Sequence, residues 1–125
     1  MMIKHFFIAL GITAVIDFVW IGLLMNRFYV EQFGEMARLK DGKFDVVLWA
    51  AALVYLLLAA GIALMAIPLA QGRVGMAFAY GALLGCLIYG VYDLTNHTTL
   101  KHWPLTLVLT DWAWGTVLCG LVAGI

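Results

Sequence analysis

Four apolar windows, each long enough to cross a membrane, constrain this chain more than any other feature. They cover about residues 6–25, 46–69, 75–100 and 105–125. A helix needs about 20 apolar residues to cross a hydrocarbon core of roughly 30 Å, and backbone groups in lipid must be satisfied within their own segment. The sequence therefore predicts an all-α integral membrane protein, with four transmembrane helices in an antiparallel bundle that forms a single domain, 1–125.

The composition agrees with a lipid environment. Of the 125 residues, 66% are hydrophobic and 11% are charged, whereas soluble domains average about 45–50% apolar and roughly 25% charged residues. The formal net charge of zero gives no basic surface for nucleic acid. Cys86 and Cys119 lie inside apolar windows without metal-binding or redox spacing, so we interpret them as packing residues and predict no cofactor.

The connection between the first two windows, 26–45, is the longest and holds most of the charge. Tyr29 and Phe33 lie four residues apart in it, and oppositely charged residues follow at helical spacing on other faces. This pattern predicts a short amphipathic helix at the membrane surface, with a solvated loop as the alternative. Asp41 and Gly42 are predicted to turn the chain back into the second window.

The placement of lysine and arginine predicts the orientation of the chain in the membrane. The N-terminus, the second connection and the C-terminus hold only Lys4 and Arg73, so the other five of the seven Lys and Arg residues lie in the first and third connections. Both termini are therefore predicted to face away from the cytoplasm.

Three aspartates, Asp17, Asp93 and Asp111, lie inside the apolar windows. At 1.5 Å per residue, each lies roughly 10–13 Å below the same predicted membrane boundary. An aspartate near the bilayer centre costs about 2.5–3.5 kcal/mol on insertion scales, so we expect all three to face the bundle interior at one level. No Lys or Arg lies at that depth, and we predict that at least one carboxyl is protonated at neutral pH or that a cation lies among them.

Polar and aromatic side chains accompany these acids at helical spacing. Aromatic walls with acids at the polar end would suit a small or lipid-like ligand, and plain hydrogen bonding between helices is the structural alternative. The first and fourth windows also share an Asp-aromatic-x-Trp pattern, which indicates a weak internal symmetry. The candidate residues for a ligand-binding site or polar layer are Asp17, Trp20, Tyr89, Tyr92, Asp93, Asn96, Thr99, Lys101, Trp103, Asp111 and Trp114.

One arrangement of these residues suggests a metal. Asp93 and His97 lie four apart on one helix face, where they could bind a divalent cation together with Asp17 and Asp111. A single histidine is poor support for such a site, and we predict no metal.

Two glycine pairs have the small-xxx-small spacing of close helix packing. They are Gly81/Gly85 in the third window and Gly120/Gly124 in the fourth. Either pair could also serve as the contact of a homo-oligomer.

The run YGVYDLTN, from Tyr89 to Asn96, is followed by TLKHWP from Thr99 to Pro104. Together these motifs resemble the central pattern of DUF2177, a family of predicted bacterial membrane proteins of unknown function. At His97 the family pattern is variable and often apolar, which argues further against a metal there. Further matches are Asp17-x-x-Trp20-x-Gly22, Phe28-Tyr29, Tyr55 and Asp111-x-x-Trp114-Gly115.

The resemblance covers essentially the whole chain. It implies a four-helix protein of the bacterial inner membrane and brings no established activity. Three functions stay open: binding of a small or lipid-like ligand, with or without acid–base chemistry; proton- or cation-coupled transport by an oligomer; and a structural, auxiliary role in the membrane. Whether the chain is an enzyme is undecided by its sequence.

Overall fold

Helices dominate the computed structural model, which describes residues 2–36, 38–40, 43–44 and 47–125. Four of them are long and apolar enough to cross a membrane, which confirms the predicted all-helical membrane architecture. We call these the first to fourth spans, and their ends lie within three residues of the predicted windows. They are Ile3–Leu24, Leu48–Ala70, Val74–Thr99 and Leu105–Gly124.

Two of the spans change helical type along their length. In the first, the Met25 N–H donates to the Trp20 carbonyl at 2.7 Å, which is the five-residue spacing of a π-helix. The elements in chain order are α1 (Met2–Asp17), a π-helix (Phe18–Leu24), α2 (Asn26–Phe33), a 3₁₀ turn (Gly34–Met36), strands β1 (Leu39–Lys40) and β2 (Lys43–Phe44), α3 (Leu48–Gly61), a second π-helix (Ile62–Ala66), α4 (Ile67–Ala70), α5 (Val74–Thr99) and α6 (Leu105–Gly124).

The connection between the first two spans contains α2, where the amphipathic helix is predicted. Its location at a membrane surface stays a prediction. After α2, the two short strands pair antiparallel, with Leu39 opposite Phe44 and Lys40 opposite Lys43. The turn predicted at Asp41-Gly42 lies outside the described residues.

The other two connections are short because their residues suit tight turns. Gln71 and Gly72 have φ angles of 52° and 80°, a left-handed conformation that glycine adopts without strain. The Arg73 N–H then donates to the Ala70 carbonyl at 3.1 Å and closes the turn. Pro104 precedes α6, where its fixed φ and missing N–H do no harm.

The third and fourth spans pack most closely. A Cβ on Gly81 would meet the Cys119 carbonyl, and one on Gly85 would meet the Gly115 carbonyl. Gly120 and Gly124 face Phe78 on the opposite helix. Both predicted glycine pairs therefore lie in a helix contact within one chain, and a homo-oligomer stays a prediction.

The remaining packing leaves one side of the bundle open. The first span packs against the second and fourth, and the second span meets the third mainly through its later part, Ile62–Ala70. In the described part of the chain, α3 and α5 hardly touch. The main apolar core, around Ile62 and Leu118, lies on the Gln71–Gly72 side, and a second cluster around Tyr29 and Leu107 lies on the α2 side. A gap between α3 and α5 results.

Candidate functional site

Asp17 connects three of the four spans. Its side chain is buried at the end of α1, where one carboxylate oxygen accepts a hydrogen bond from the Tyr55 hydroxyl at 2.7 Å. The other oxygen accepts from the Trp114 Nε1–H at 3.0 Å. Tyr55 belongs to the second span and Trp114 to the fourth, so the first buried acid is hydrogen-bonded to two neighbouring helices.

Asp111 accepts a hydrogen bond from α2, the helix that precedes the second span. Tyr29 of α2 is buried, and its hydroxyl donates to Asp111 Oδ1 at 3.0 Å. The same hydroxyl accepts from the Trp20 Nε1–H at 3.0 Å. The Trp20 ring stacks on Trp114, with centroids 4.3 Å apart and planes at 6°. The two tryptophans of the repeated Asp-aromatic-x-Trp pattern thus contact each other directly.

Asp93 has the most unusual surroundings of the three acids. Its side chain is 0% exposed, and no donor in the described chain makes a well-formed hydrogen bond to either carboxyl oxygen. The Asp111 carboxyl and the Trp103 indole are nevertheless close enough to interact with it. Trp103 Nε1 is likewise buried without a bond of good geometry. Asp93 and Asp111 therefore form a pair of buried acids on neighbouring helices.

A cavity of about 440 Å³ adjoins two of the acids. On its rim, Leu57 of α3 is 72% exposed and Tyr92 of α5 is 53% exposed, so the cavity opens sideways through the gap between these helices. We call it the acid cavity. Its walls are largely apolar and aromatic, and its lining residues are Asp17, Ile21, Tyr29, Phe33, Val54, Leu57, Leu58, Ile88, Tyr89, Tyr92, Trp103 and Asp111.

A second cavity, of about 620 Å³, lies next to the first and is far more polar. Phe33 and Trp103 line both cavities, and their rings stack with centroids 5.3 Å apart. This aromatic pair therefore stands between the acids and the polar cavity. The other residues of the polar cavity are Glu31, Gln32, Gly34, Glu35, His97, Lys101, His102 and Pro104.

Five of the residues expected from the sequence line the acid cavity, and the others lie around it. Trp114 donates to Asp17, and Trp20 donates to the Tyr29 hydroxyl that in turn donates to Asp111. Asn96 is half-buried within reach of the Tyr92 phenol. Thr99 is exposed and donates to the Thr95 carbonyl of its own helix. Lys101 is exposed and lines the polar cavity instead. The five are Asp17, Tyr89, Tyr92, Trp103 and Asp111.

Three aromatic contributors were absent from the candidate residues. Tyr29 and Phe33 come from α2, and Tyr55 comes from the second span. A tyrosine in an otherwise apolar span is a usable signal, since a buried phenol normally requires a hydrogen-bond partner. The sequence also predicted the apolar face of α2, but it did not predict that this face contacts the acids.

The geometry around His97 does not add to the case for a metal. His97 Nδ1 lies 2.7 Å from the Trp103 carbonyl oxygen. Within the described ranges, no three His, Cys, Asp or Glu side chains are grouped closely enough to hold a metal ion. The imidazole instead forms a hydrogen bond between the end of α5 and the turn that follows it.

Tyr29 lies outside the spans, and its protonation is open to measurement. Burial raises the pKa of its phenol above the ordinary value of 10.0, and the Asp111 carboxyl raises it further. A group with a raised pKa contributes stability that is complete below its unfolded pKa, about 10 here, and is lost as the pH rises through the folded value. We expect Tyr29 to remain a neutral phenol in the folded protein at about pH 11.

Ultraviolet titration of wild type and Tyr29→Phe measures this directly. The difference between the two folded proteins should contain no phenolate at about pH 11, whereas the same difference in denaturant should equal one phenolate. Ionisation of Tyr29 in the folded protein near its ordinary pKa would contradict the buried bond to Asp111.

Comparison with known proteins assigns the chain to a family without adding a function. No curated protein matches it, and no solved structure does. One family model, described as a predicted membrane protein (DUF2177), matches residues 2–125. Because that match covers nearly the whole chain, the protein belongs to the DUF2177 family of predicted membrane proteins.

Proposed function

We propose that this protein binds a membrane amphiphile in the acid cavity. The apolar chain of the ligand would lie in the gap between α3 and α5, and its polar head would lie beside Asp17 and Asp111. The observation that carries the proposal is the cavity itself, since it joins an exposed opening between two apolar spans to two buried carboxyl groups.

The opening suits an apolar chain. Val54 and Leu57 form one side of it and Ile88 and Tyr92 the other, and all four side chains are exposed at the surface of a membrane span. A ligand that reaches the cavity through this gap never has to leave the bilayer. Its chain would gain the usual contacts of an apolar pocket, and an alkyl chain is the natural occupant.

The inner end of the cavity selects the head group. The Asp17 and Asp111 carboxyl oxygens already accept bonds from phenol and indole donors, and they retain lone pairs for further donors. No Lys or Arg is among the described residues that line the cavity. An anionic head would therefore meet acids without a compensating cation. We infer a head that donates hydrogen bonds, which is a hydroxyl or an amine.

Substitutions at the opening test the proposal, and the chain offers matched controls. Ile88→Trp and Val54→Trp would fill the gap, whereas Leu87→Trp and Leu53→Trp add the same ring at neighbouring exposed positions that do not line the cavity. The probes are a long-chain alcohol, the matching amine and the matching alkyl phosphate, added to protein in detergent and measured by native mass spectrometry.

We expect wild type to retain the alcohol or the amine and to reject the phosphate. The filling variants should bind at least about tenfold more weakly, a change worth about 1.4 kcal/mol, and the neighbouring variants should bind as wild type does. Equal binding by all five proteins would refute a ligand site at this opening, and a preference for the phosphate would refute the inferred head group.

Transport is the second candidate, and the aromatic pair gives it specific support. The polar cavity and the acid cavity meet at Phe33 and Trp103, and Trp103 interacts with Asp93 of the Asp93–Asp111 pair. Buried acids of this kind are the usual proton relays of membrane carriers. Four spans are few for alternating access, so this candidate requires a homo-oligomer.

Proton flux into proteoliposomes tests transport. An internal pH dye should show acid-dependent flux that Asp93→Asn abolishes. An unchanged internal pH across imposed gradients would exclude proton transport.

The membrane and the orientation are also proposals. The family resemblance supports the bacterial inner membrane, and the excess of Lys and Arg in the first and third connections supports termini on the periplasmic side. Reporter fusions at each terminus that are active only on one side of the membrane would test this orientation. Cytoplasmic reporter activity at either end would contradict it.

A further inference from the structure

A third cavity lies at the end of the bundle opposite α2, beside the Gln71–Gly72 turn. It measures about 390 Å³ and is bordered by the beginnings of the first and third spans and by the end of the fourth. Three basic side chains line it: Lys4, His5 and Arg73. No Asp or Glu is among its described lining residues. This composition is the reverse of the acid cavity, where carboxyls are present and cations are not.

The two permanent cations of this cavity are Lys4 and Arg73. Within the described chain, neither Lys4 nor Arg73 forms an ion pair. Arg73 Nε donates to the Ala70 carbonyl at 3.2 Å, which anchors the guanidinium next to the cavity and leaves its remaining N–H groups for another acceptor. Lys4 and Arg73 are also the only Lys and Arg outside the first and third connections. The Lys and Arg side chains at this end of the bundle, Lys4 and Arg73, therefore line the same cavity.

The rest of the lining is apolar. Ile8, Ile67 and Val122, from three different spans, form walls next to the basic groups. Lysine and arginine at the ends of spans commonly extend toward the membrane surface as single side chains. Here Lys4 and Arg73, from separate elements, converge on one pocket with apolar walls. This arrangement is more specific. It places positive charge at the membrane boundary and alkyl contacts directly below.

We propose that this cavity binds the phosphate head of an anionic phospholipid. Arg73 and Lys4 would pair with the phosphate oxygens, since guanidinium and ammonium groups are the usual partners of phosphate. The first carbons of an acyl chain would lie against Ile8 and Ile67. This site is separate from the acid cavity, so its existence does not depend on the function proposed above.

Lipid retention by the full chain tests the site. The protein is reconstituted in nanodiscs of phosphatidylcholine with increasing phosphatidylglycerol, extracted gently and analysed by native mass spectrometry. The variant is Lys4→Gln/Arg73→Gln. The control is Arg27→Gln/Arg38→Gln, which removes the same charge from exposed residues outside this cavity; Arg27 is 93% exposed beside Glu31.

We expect wild type to retain phosphatidylglycerol in preference to phosphatidylcholine. Each lost charge should weaken retention about fivefold, and the double variant about 25-fold, by the usual contribution of a basic residue near an anionic surface. The control should lower retention much less than the variant does, because neither of its residues lines this cavity. If Lys4→Gln/Arg73→Gln fails to fold, Lys4→Glu alone reverses an exposed charge without disturbing the Arg73 turn, and it should lower retention more than Lys4→Gln.

Inorganic phosphate and diacylglycerol separate the sources of the interaction. Thermal stabilisation by phosphatidylglycerol that neither compound reproduces supports a lipid site. Stabilisation by inorganic phosphate alone to the same degree would overturn the assignment to a lipid. Equal retention of the two phospholipids, or an equal loss in the control variant, would overturn the site itself.

Discussion

Replacing Gly85 by leucine is expected to leave no folded protein after extraction from the membrane. A Cβ at this position would meet the backbone carbonyl of Gly115, and a second close contact would form with the Cys119 Cβ at 2.9 Å. A backbone carbonyl inside a helix cannot move aside as a flexible side chain can. The third and fourth spans would have to separate, and the polar network around Asp93 and Asp111 depends on their contact.

Gly85→Ala should destabilise the protein for the same reason, but to a smaller degree. Overpacking typically costs about 1–3 kcal/mol, and we expect Gly85→Ala near the upper end because backbone blocks the added methyl. Gly11→Ala is the matched control, since Gly11 lies in an exposed part of a membrane helix and an added methyl there would have nothing within 4 Å of it. It should be neutral or slightly stabilising. Thermal unfolding in detergent measures both, and equal stability of the two variants would mean that the spans do not pack through Gly85.

Asp17→Ala should cause the second largest loss of stability. The substitution leaves the Tyr55 hydroxyl and the Trp114 N–H without their acceptor in a region that water does not readily reach. A buried donor left without a partner costs about 1–3 kcal/mol, although hydrogen bonds between membrane helices average only about 0.6 kcal/mol. For two such donors the lower figure gives about 1 kcal/mol and the higher about 2–6 kcal/mol, and we expect a loss of about 2–3 kcal/mol.

Two smaller changes show whether that loss comes from the hydrogen bonds. Asp17→Asn retains one acceptor oxygen and should lose about half as much, and Tyr55→Phe removes one donor without leaving another unpaired, at about 1 kcal/mol. The double variant Asp17→Ala/Tyr55→Phe should be less destabilised than the sum of its parts, because both changes remove the same bond. Strict additivity, or wild-type stability of Asp17→Ala, would show that these bonds contribute nothing to the fold.

The Asp17 series also separates the structural and ligand-binding roles of the acids. If Asp17→Asn folds and still retains the alcohol or amine probe, the carboxyl acts mainly between helices. If it folds but loses the probe, the carboxyl contacts the ligand. Asp111 can be tested in the same way, since Tyr29 donates one hydrogen bond to it.

The four spans followed from the sequence alone. The energy of a backbone in hydrocarbon depends on local composition and length, so windows such as 75–100 were sufficient to locate Val74–Thr99. Burial of the three aspartates followed for the same reason, because exposing Asp17, Asp93 or Asp111 to lipid is costly wherever the neighbouring helices lie.

The partners of those aspartates were decided only by the tertiary structure. Spacing along one helix gives the face and the depth of a side chain, but it gives neither the rotation nor the identity of the helix opposite. Tyr55 and Trp114 therefore could not be paired with Asp17 from the sequence. The π-helix after Asp17 adds a further reason, since it turns the following side chains by a different angle from the α-helix assumed in the spacing argument.

For α2 as well, the sequence predicted one part and the tertiary structure decided the other. Its apolar face could be read from Tyr29 and Phe33, because amphipathic spacing is a local property. That Tyr29 reaches Asp111, 82 residues further along the chain, and that Lys101 and Thr99 lie outside the acid cavity, depends on how separate helices pack. The sequence determined what must enter the membrane and what must be buried there, whereas contacts between distant segments determined which side chains share a cavity.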